Sequence, residues 1–172
     1  MPFNRPTCAP CKRRNVLIGA ALGVIGAMSW AQSTPSPGKS QVNHLANGTF
    51  VVKVLPMAFE GQQEGSKLGR MSIDKQIVGD LVASTKGQML SAMSEVKGSA
   101  GYVAIEYVEG SLHGRKGSFV LQHTGTMNRG IPSLSVTVVP DSGTGELSGL
   151  GGDFKIIIAE GKHSYEFNYT LP

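Results

Sequence analysis

Residues 101–130 read GYVAIEYVEGSLHGRKGSFVLQHTGTMNRG, two runs rich in β-branched and aromatic residues that flank His113-Gly114. Runs of this composition favour extended strands. A two-residue connection that ends in glycine is typical of a tight β-hairpin turn. The segment therefore predicts an antiparallel hairpin, and its register can be counted outward from the turn.

This register predicts a polar pair. It places Glu106 opposite Leu121 and Ala104 opposite His123, so Glu106 and His123 share a face and lie diagonally. Diagonal neighbours are ~7–8 Å apart between backbones, which is close enough for these two side chains to meet. Tyr102 lies on the same face. Alternation alone does not decide whether that face lines the interior, since the opposite face also carries apolar residues.

The rest of the chain continues the same pattern from residue 49 onward. Apolar and β-branched runs alternate with Gly, Asp and Asn, and no window offers a capped helical stripe. We therefore predict an all-β domain. Eight antiparallel strands favour a small closed β-barrel because closure removes exposed sheet edges, and a two-sheet sandwich is the alternative. The predicted strands are residues 49–57, 68–78, 81–94, 101–112, 115–127, 133–139, 146–158 and 162–171.

The last predicted hairpin separates an apolar face from a polar one. A turn at Glu160-Gly161 places Lys155 opposite Glu166 on the polar face. The predicted apolar pairs are Ile158 with His163, Ile156 with Tyr165 and Phe154 with Phe167.

The glycine-rich residues 143–152 join two strands rather than a strand and a helix, so we interpret them as a hairpin loop and a bulge instead of a phosphate loop.

The N-terminus has the pattern of an export signal. A basic segment ends in Lys12-Arg13-Arg14, an apolar run follows, and Ser29-Trp30-Ala31 offers small residues at the cleavage positions. The apolar run is shorter than the ~20 residues of a membrane-spanning helix. The paired arginines resemble a twin-arginine translocation signal. We predict a signal peptide at residues 1–31, a flexible linker rich in Ser, Pro and Gly at 32–47, and the barrel domain at 48–172, with a periplasmic or extracellular location.

Cleavage would change the charge and cysteine counts. The chain has 16 basic and 12 acidic residues, and Arg5, Lys12, Arg13 and Arg14 lie in the signal, so 16 − 4 leaves 12 basic against 12 acidic residues. A neutral mature protein argues against a nucleic-acid partner. We predict contact with a membrane only during export. Both cysteines, Cys8 and Cys11, also fall in the signal, which excludes a disulfide or a thiol nucleophile from the mature domain.

The chain resembles a bacterial protein family, the domain of unknown function 3224 family. The resemblance runs from about Phe50 to Leu171, and it implies a small barrel similar to that of plant allene oxide cyclase. Similarity of fold does not carry a function across. The blocks that carry the resemblance are GQMLSAMSEVKGSAGYVAIEYVEGSL at 87–112, GSFVLQHTGTM at 117–127 and PSLSVTVVPDSGTGELSGL at 132–150.

The candidate chemistry lies on the central hairpin. Glu106 and His123 could act as an acid–base pair in an apolar cavity, or simply satisfy each other within the barrel wall. For a bound ligand we predict contacts with Tyr102, Glu106, Phe119, Leu121 and His123. The histidines show no metal-ligand spacing, so we predict neither a metal nor a cofactor.

Three functional hypotheses follow. The leading one is an exported barrel that binds a small apolar or amphipathic ligand in its interior. A second is an isomerase or cyclase that holds a hydrophobic substrate away from water. A third is a solid structural barrel whose surface makes the contacts. An open interior favours the first two, and a filled one favours the third.

Overall fold

In the computed structural model, residues 42–61 and 63–172 are described, and they form a closed barrel of eight antiparallel strands. Each strand pairs with the next and β8 pairs with β1, which confirms the all-β barrel prediction. The predicted signal peptide and residues 32–41 of the predicted linker lie outside the described residues. The strands are β1 Val42–Met57, β2 Leu68–Gly79, β3 Leu81–Met93, β4 Ala100–Leu112, β5 Arg115–Asn128, β6 Ile131–Val138, β7 Gly151–Ala159 and β8 Lys162–Leu171.

The first strand begins earlier than the sequence pattern predicted. Residues 42–47, assigned to the flexible linker, form the start of β1 and pair with β8, beginning at Val42 opposite Leu171. Ala46 is fully buried in the core. The segment lacks a strong period of its own, but the edge of β8 supplies a hydrogen-bonding partner that holds it extended.

The two hairpin registers predicted from the sequence are both confirmed. Ala104 lies opposite His123, and Lys155 lies opposite Glu166. His113 has a φ of 47° and Gly114 a φ of 83°, as a primed two-residue turn requires. Because both central residues are left-handed, this turn matches the twist of its strands and fixes the register without help from the rest of the fold.

One end of the barrel is closed by the segment between β6 and β7. This segment contains a 3-10 turn, Gly145–Leu147, and it places the side chains of Leu147 and Leu150 in the core, with 0% and 2% exposure. The prediction that residues 146–150 belong to a strand is therefore wrong. Burial of two leucine side chains at the barrel end stabilises the turn that replaces it.

The half of the barrel next to this plug is filled. Phe154 stacks on Tyr165 with ring centroids 4.9 Å apart, and Phe119 stacks on Phe167 at 5.8 Å. The Leu81 N–H donates a 2.9 Å hydrogen bond to the Tyr165 hydroxyl, so the buried phenol is satisfied. Large aromatic rings in stacked contact leave no interior space at this end.

The opposite end, which we call the mouth, carries exposed apolar side chains. Ile158 continues the inward alternation of Phe154 and Ile156, yet it is 67% exposed. Leu134 continues the inward alternation of Val136 and is 43% exposed. The mouth therefore presents apolar surface to solvent, whereas the other end of the barrel is packed.

The barrel wall is weakest between β6 and β7. Within the described residues, the register of these strands contains the single pair Thr137–Asp153, whereas every other neighbouring pair has a long ladder. A cavity of about 200 Å³ lies at this seam, and Leu134, Val136 and Phe154 are among its lining residues. The two strands therefore remain adjacent but contribute little to closure by hydrogen bonding.

The plug offers a test of how the closed end is stabilised. We expect Leu147→Ala to lower the free energy of unfolding by about 2–5 kcal/mol, because it leaves a cavity in a filled region. Val51→Ala, on the outer face of β1 at 70% exposure, should change it by less than about 0.5 kcal/mol. Urea unfolding of the mature domain measures both, and similar losses for the two variants would contradict a packed plug.

Candidate functional site

Four polar side chains form a layer across the barrel interior. Lys75, Thr85, Glu106 and His123 come from β2, β3, β4 and β5 respectively, and all are 0–4% exposed. We call this set the polar layer. It lies between the filled half of the barrel and the mouth, since each of the four strands continues toward the mouth beyond it.

Glu106 is the centre of the polar layer. Lys75 Nζ donates to Glu106 Oε2 at 2.7 Å, and Thr85 Oγ1 donates to Oε1 at 2.5 Å. His123 Nε2 lies 2.9 Å from Oε2. The register predicted that Glu106 and His123 would meet, and their side chains do so. A fully enclosed carboxylate requires such partners because an uncompensated buried charge costs several kcal/mol.

Lys75 is the residue of the polar layer that was not predicted from the sequence. It lies between Ile73 and Ile77 on β2, and the alternation of these three residues points all of them inward. Its ammonium lies 5.1 Å from the centroid of the Phe50 ring and pairs with Glu106. The sequence does contain a sign of its burial. The lysine alternates in phase with two isoleucines, a pattern that is uncommon on a solvated strand face.

The electrostatics of the polar layer keep Glu106 ionised. Burial alone would raise the pKa of this carboxyl, but the neighbouring His123, Lys75 and Thr85 groups more than offset burial and lower the pKa to about 2. Glu106 is therefore a carboxylate at neutral pH and an acceptor only. In this state its role is to orient and balance its neighbours rather than to release a proton.

His123 has one ring nitrogen directed toward the polar layer. Nε2 is fully buried, and although it lies close to Glu106, no hydrogen bond of good alignment is formed with it within the described part of the chain. The side chain as a whole is 4% exposed. Nδ1 has no hydrogen bond from any described residue, so it is free to serve a ligand as donor or acceptor.

Tyr102 lies on the mouth side of the polar layer. Its ring covers Gly125, the residue directly opposite on β5, so closely that a Cβ at that position would lie 2.1 Å from a ring carbon. Gly125 therefore makes room for the ring. Burial and the nearby Glu106 charge both raise the pKa of the Tyr102 hydroxyl. No described residue forms a hydrogen bond with this hydroxyl, so it is available to a ligand.

The other two predicted ligand contacts lie deeper. Phe119 and Leu121 are each 1% exposed and belong to the packed core cluster. The structure thus places Glu106, His123 and Tyr102 next to one another and places Phe119 and Leu121 on the filled side of the polar layer.

The described residues contain no group of three or more His, Cys, Asp or Glu side chains arranged to hold a metal ion. Among the same residues, no helix is long and apolar enough to cross a membrane. The polar layer contains one acid and one histidine, and its cation is a lysine rather than a metal.

Comparison with known proteins identifies the family. The family described as "Protein of unknown function (DUF3224)" matches residues 46–169, which is nearly the whole barrel. The chain belongs to the DUF3224 family. A crystal structure of a DUF3224 protein of unknown function from Shewanella oneidensis MR-1 is 50% identical, with a TM-score of 0.71. The match covers 76% of this chain and all of that one. Among curated proteins no match was found.

Membership of DUF3224 confirms the resemblance noted in the sequence. The narrower expectation, a barrel similar to that of allene oxide cyclase, stays a prediction. Neither the family nor the Shewanella oneidensis protein has a stated function. A functional conclusion therefore has to come from the geometry of the polar layer and the mouth.

The lowered pKa of Glu106 predicts how stability depends on pH. The folded pKa of about 2 lies below the ordinary value of 4.5, so the ionised group stabilises the fold above that value and loses its effect as pH falls from 4.5 toward 2. The effect amounts to roughly 3 kcal/mol. Glu106→Gln should therefore be strongly destabilised at neutral pH, and its difference from the wild type should shrink below about pH 4.5.

Urea unfolding at a series of pH values measures this difference. Glu109→Gln, at an exposed position on the outer face of the same strand, is the matched control and should differ little from the wild type throughout. A difference for Glu106→Gln that stays constant as pH falls would show that the carboxylate charge does not stabilise the polar layer.

Proposed function

We propose that this DUF3224 protein binds a small amphipathic molecule in the mouth half of its barrel. The observation that carries the proposal is a set of exposed, inward-facing apolar side chains at the mouth, beyond a buried polar layer. Binding sites for small molecules usually combine an apolar lining with a few fixed polar groups. These exposed side chains favour binding over the third hypothesis, a solid barrel whose inward-facing side chains are all covered.

The walls of the mouth supply apolar contact. Val54, Leu134 and Ile158 are each at least 43% exposed at inward-facing positions. A ligand that covered these walls would gain about 25 cal/mol for each Å² of apolar surface removed from water.

The polar groups define what the ligand must carry. Tyr102 offers a hydroxyl and His123 offers Nδ1, and neither atom has a partner among the described residues. Glu106 and Lys75 balance each other's charge and are committed to each other at 2.7 Å. The mouth therefore suits a neutral group such as a carbonyl or hydroxyl, held by one or two hydrogen bonds, rather than a strongly charged group.

A second candidate function is an isomerase or cyclase at the same place. The contact between His123 and Glu106, with Nε2 2.9 Å from Oε2, favours it because a carboxylate beside an imidazole is an arrangement used in general acid–base catalysis. In that case Nδ1 of His123 would exchange a proton with the bound substrate. Turnover that persists in both Glu106→Gln and His123→Ala would exclude this role.

Export forms part of the proposal. The basic segment, the apolar run and the small residues before Gln32 in the sequence support cleavage after Ala31 and a periplasmic or extracellular location. We expect the mature protein to begin at Gln32, and replacement of Arg13 and Arg14 by lysine to retain the full-length precursor in the cytoplasm. N-terminal sequencing of each cell fraction tests this, and a full-length exported protein would contradict it.

Binding in the mouth is tested with 1-decanol as a neutral amphiphile. We expect it to shift the methyl NMR signals of Ile156 and Ile158 in the mature domain. Tyr102→Phe, which removes the hydroxyl but keeps the ring, should weaken this binding about 3- to 10-fold, the usual effect of one lost hydrogen bond.

Ile158→Glu and Val51→Glu form the control pair, since both residues are highly exposed on strands of the barrel but only Ile158 faces inward. The first should abolish the response to 1-decanol and the second should not. Native mass spectrometry of the protein isolated from its host should also show a bound small molecule. Unshifted mouth methyls together with a clean apo spectrum would refute the proposed function.

A further inference from the structure

A second concave region lies on the outside of the barrel. Outward-facing residues of β2–β5 and Phe59 of the β1–β2 loop line a groove of about 750 Å³, which we call the outer groove. Its volume falls within the range of ligand sites, about 300–1,000 Å³. The polar layer lies on the other side of the barrel wall, so the outer groove is a separate region from the mouth.

The floor of the outer groove is apolar. Leu90, Val103 and Ile105 are 47%, 52% and 54% exposed, and they project from the neighbouring strands β3 and β4. These strands carry apolar side chains on their outer face where a solvated strand would carry polar ones. Contiguous exposed apolar surface of this kind on a soluble domain usually marks a binding site.

Arg70 brings a fixed positive charge to this groove. Its Nε and Nη2 atoms donate to the Gln88 side-chain oxygen at 3.0 and 2.6 Å, so the guanidinium is held on the groove wall. Five N–H donors are present on a guanidinium, and three therefore stay available. Gln88 itself lines the groove and is neutral, so it orients the arginine without neutralising its charge.

Arg70 lacks a carboxylate partner within residues 42–61 and 63–172. Glu60 also lines the groove but forms no ion pair with it. By contrast, Lys75, Lys86 and Lys155 each pair with an acid. A half-buried, oriented guanidinium beside an apolar floor is an unneutralised charge in a setting where it binds an anion well.

We propose that the outer groove binds an amphipathic carboxylate. The carboxylate would accept hydrogen bonds from the free donors of Arg70, and an apolar chain would lie on Leu90, Val103 and Ile105. Glu60 also lines the groove, so the carboxylate of the ligand would lie beside Arg70 and away from Glu60. A fixed guanidinium next to an apolar floor favours this ligand over a neutral amphiphile, which would leave the guanidinium unsatisfied. The site is independent of ligand binding in the mouth.

The test compares decanoate with 1-decanol, monomeric in solution, on the mature protein by methyl NMR. We expect decanoate to shift the methyl signals of Ile105, Leu90 and Val103, and 1-decanol to shift them much less. Arg70→Gln should weaken the decanoate response at Ile105 about tenfold or more, as expected for loss of a charge-assisted hydrogen bond. Lys53→Gln, an exposed charge on β1 outside the groove, is the matched control and should leave that response unchanged.

Three results would overturn the proposal: no shift of Ile105 with decanoate, an equal response to decanoate in Arg70→Gln, or equal binding of 1-decanol in the groove. Sedimentation of the ligand-free protein tests whether a second copy of the chain occupies the groove instead. If the protein is a dimer that Ile105→Glu converts to a monomer, then a second copy covers the groove and the proposal fails. Binding in the mouth is measured at Ile156 and Ile158, so a failure of that proposal is distinguished from a failure of the outer-groove proposal.

Discussion

The structure depends on the enclosure of one carboxylate. Glu106 is completely buried and forms contacts with side chains from β2, β3 and β5, so one charged group ties four consecutive strands together. An ion pair buried in this way adds little net stability compared with an apolar layer, yet loss of either partner is costly. Its main effect is therefore geometric. It fixes the relative position of four strands, and it lies between the filled half of the barrel and the mouth.

Where local chemistry decides the structure, the sequence was sufficient. The hairpin around His113-Gly114 has its register fixed by a two-residue turn, so the meeting of Glu106 and His123 followed from counting residues. Lys75 was missed because it lies on β2, which β3 separates from β4, so counting outward from one turn does not bring it next to Glu106. Residues 146–150 were misassigned for a related reason. Leu147 and Leu150 are buried against the core of the closed barrel, and this tertiary contact overrides the local preference for a strand.

The exposed apolar side chains of the mouth could not be predicted from sequence for a different physical reason. Alternation specifies which face of a strand points inward, but whether an inward-facing side chain is covered depends on the side-chain volumes across eight strands and on the twist of the barrel. Ile158 and Phe154 have the same inward parity in the sequence, yet one is largely exposed and the other is packed. Ile158 lies next to the turn at the end of β7, whereas Phe154 lies within the packed half of the barrel.

Charge balance distinguishes the two concave regions of the molecule. In the interior, the ammonium of Lys75 is paired with the carboxylate of Glu106, so these two charges of the polar layer neutralise each other. On the outer face, the guanidinium of Arg70 is oriented by a neutral amide and retains its charge. The same kind of apolar chain could lie on either surface, but the group at its end would differ. Removal of Glu106 would erase this distinction, because an unmatched Lys75 would then favour an anion inside the barrel as Arg70 does outside it.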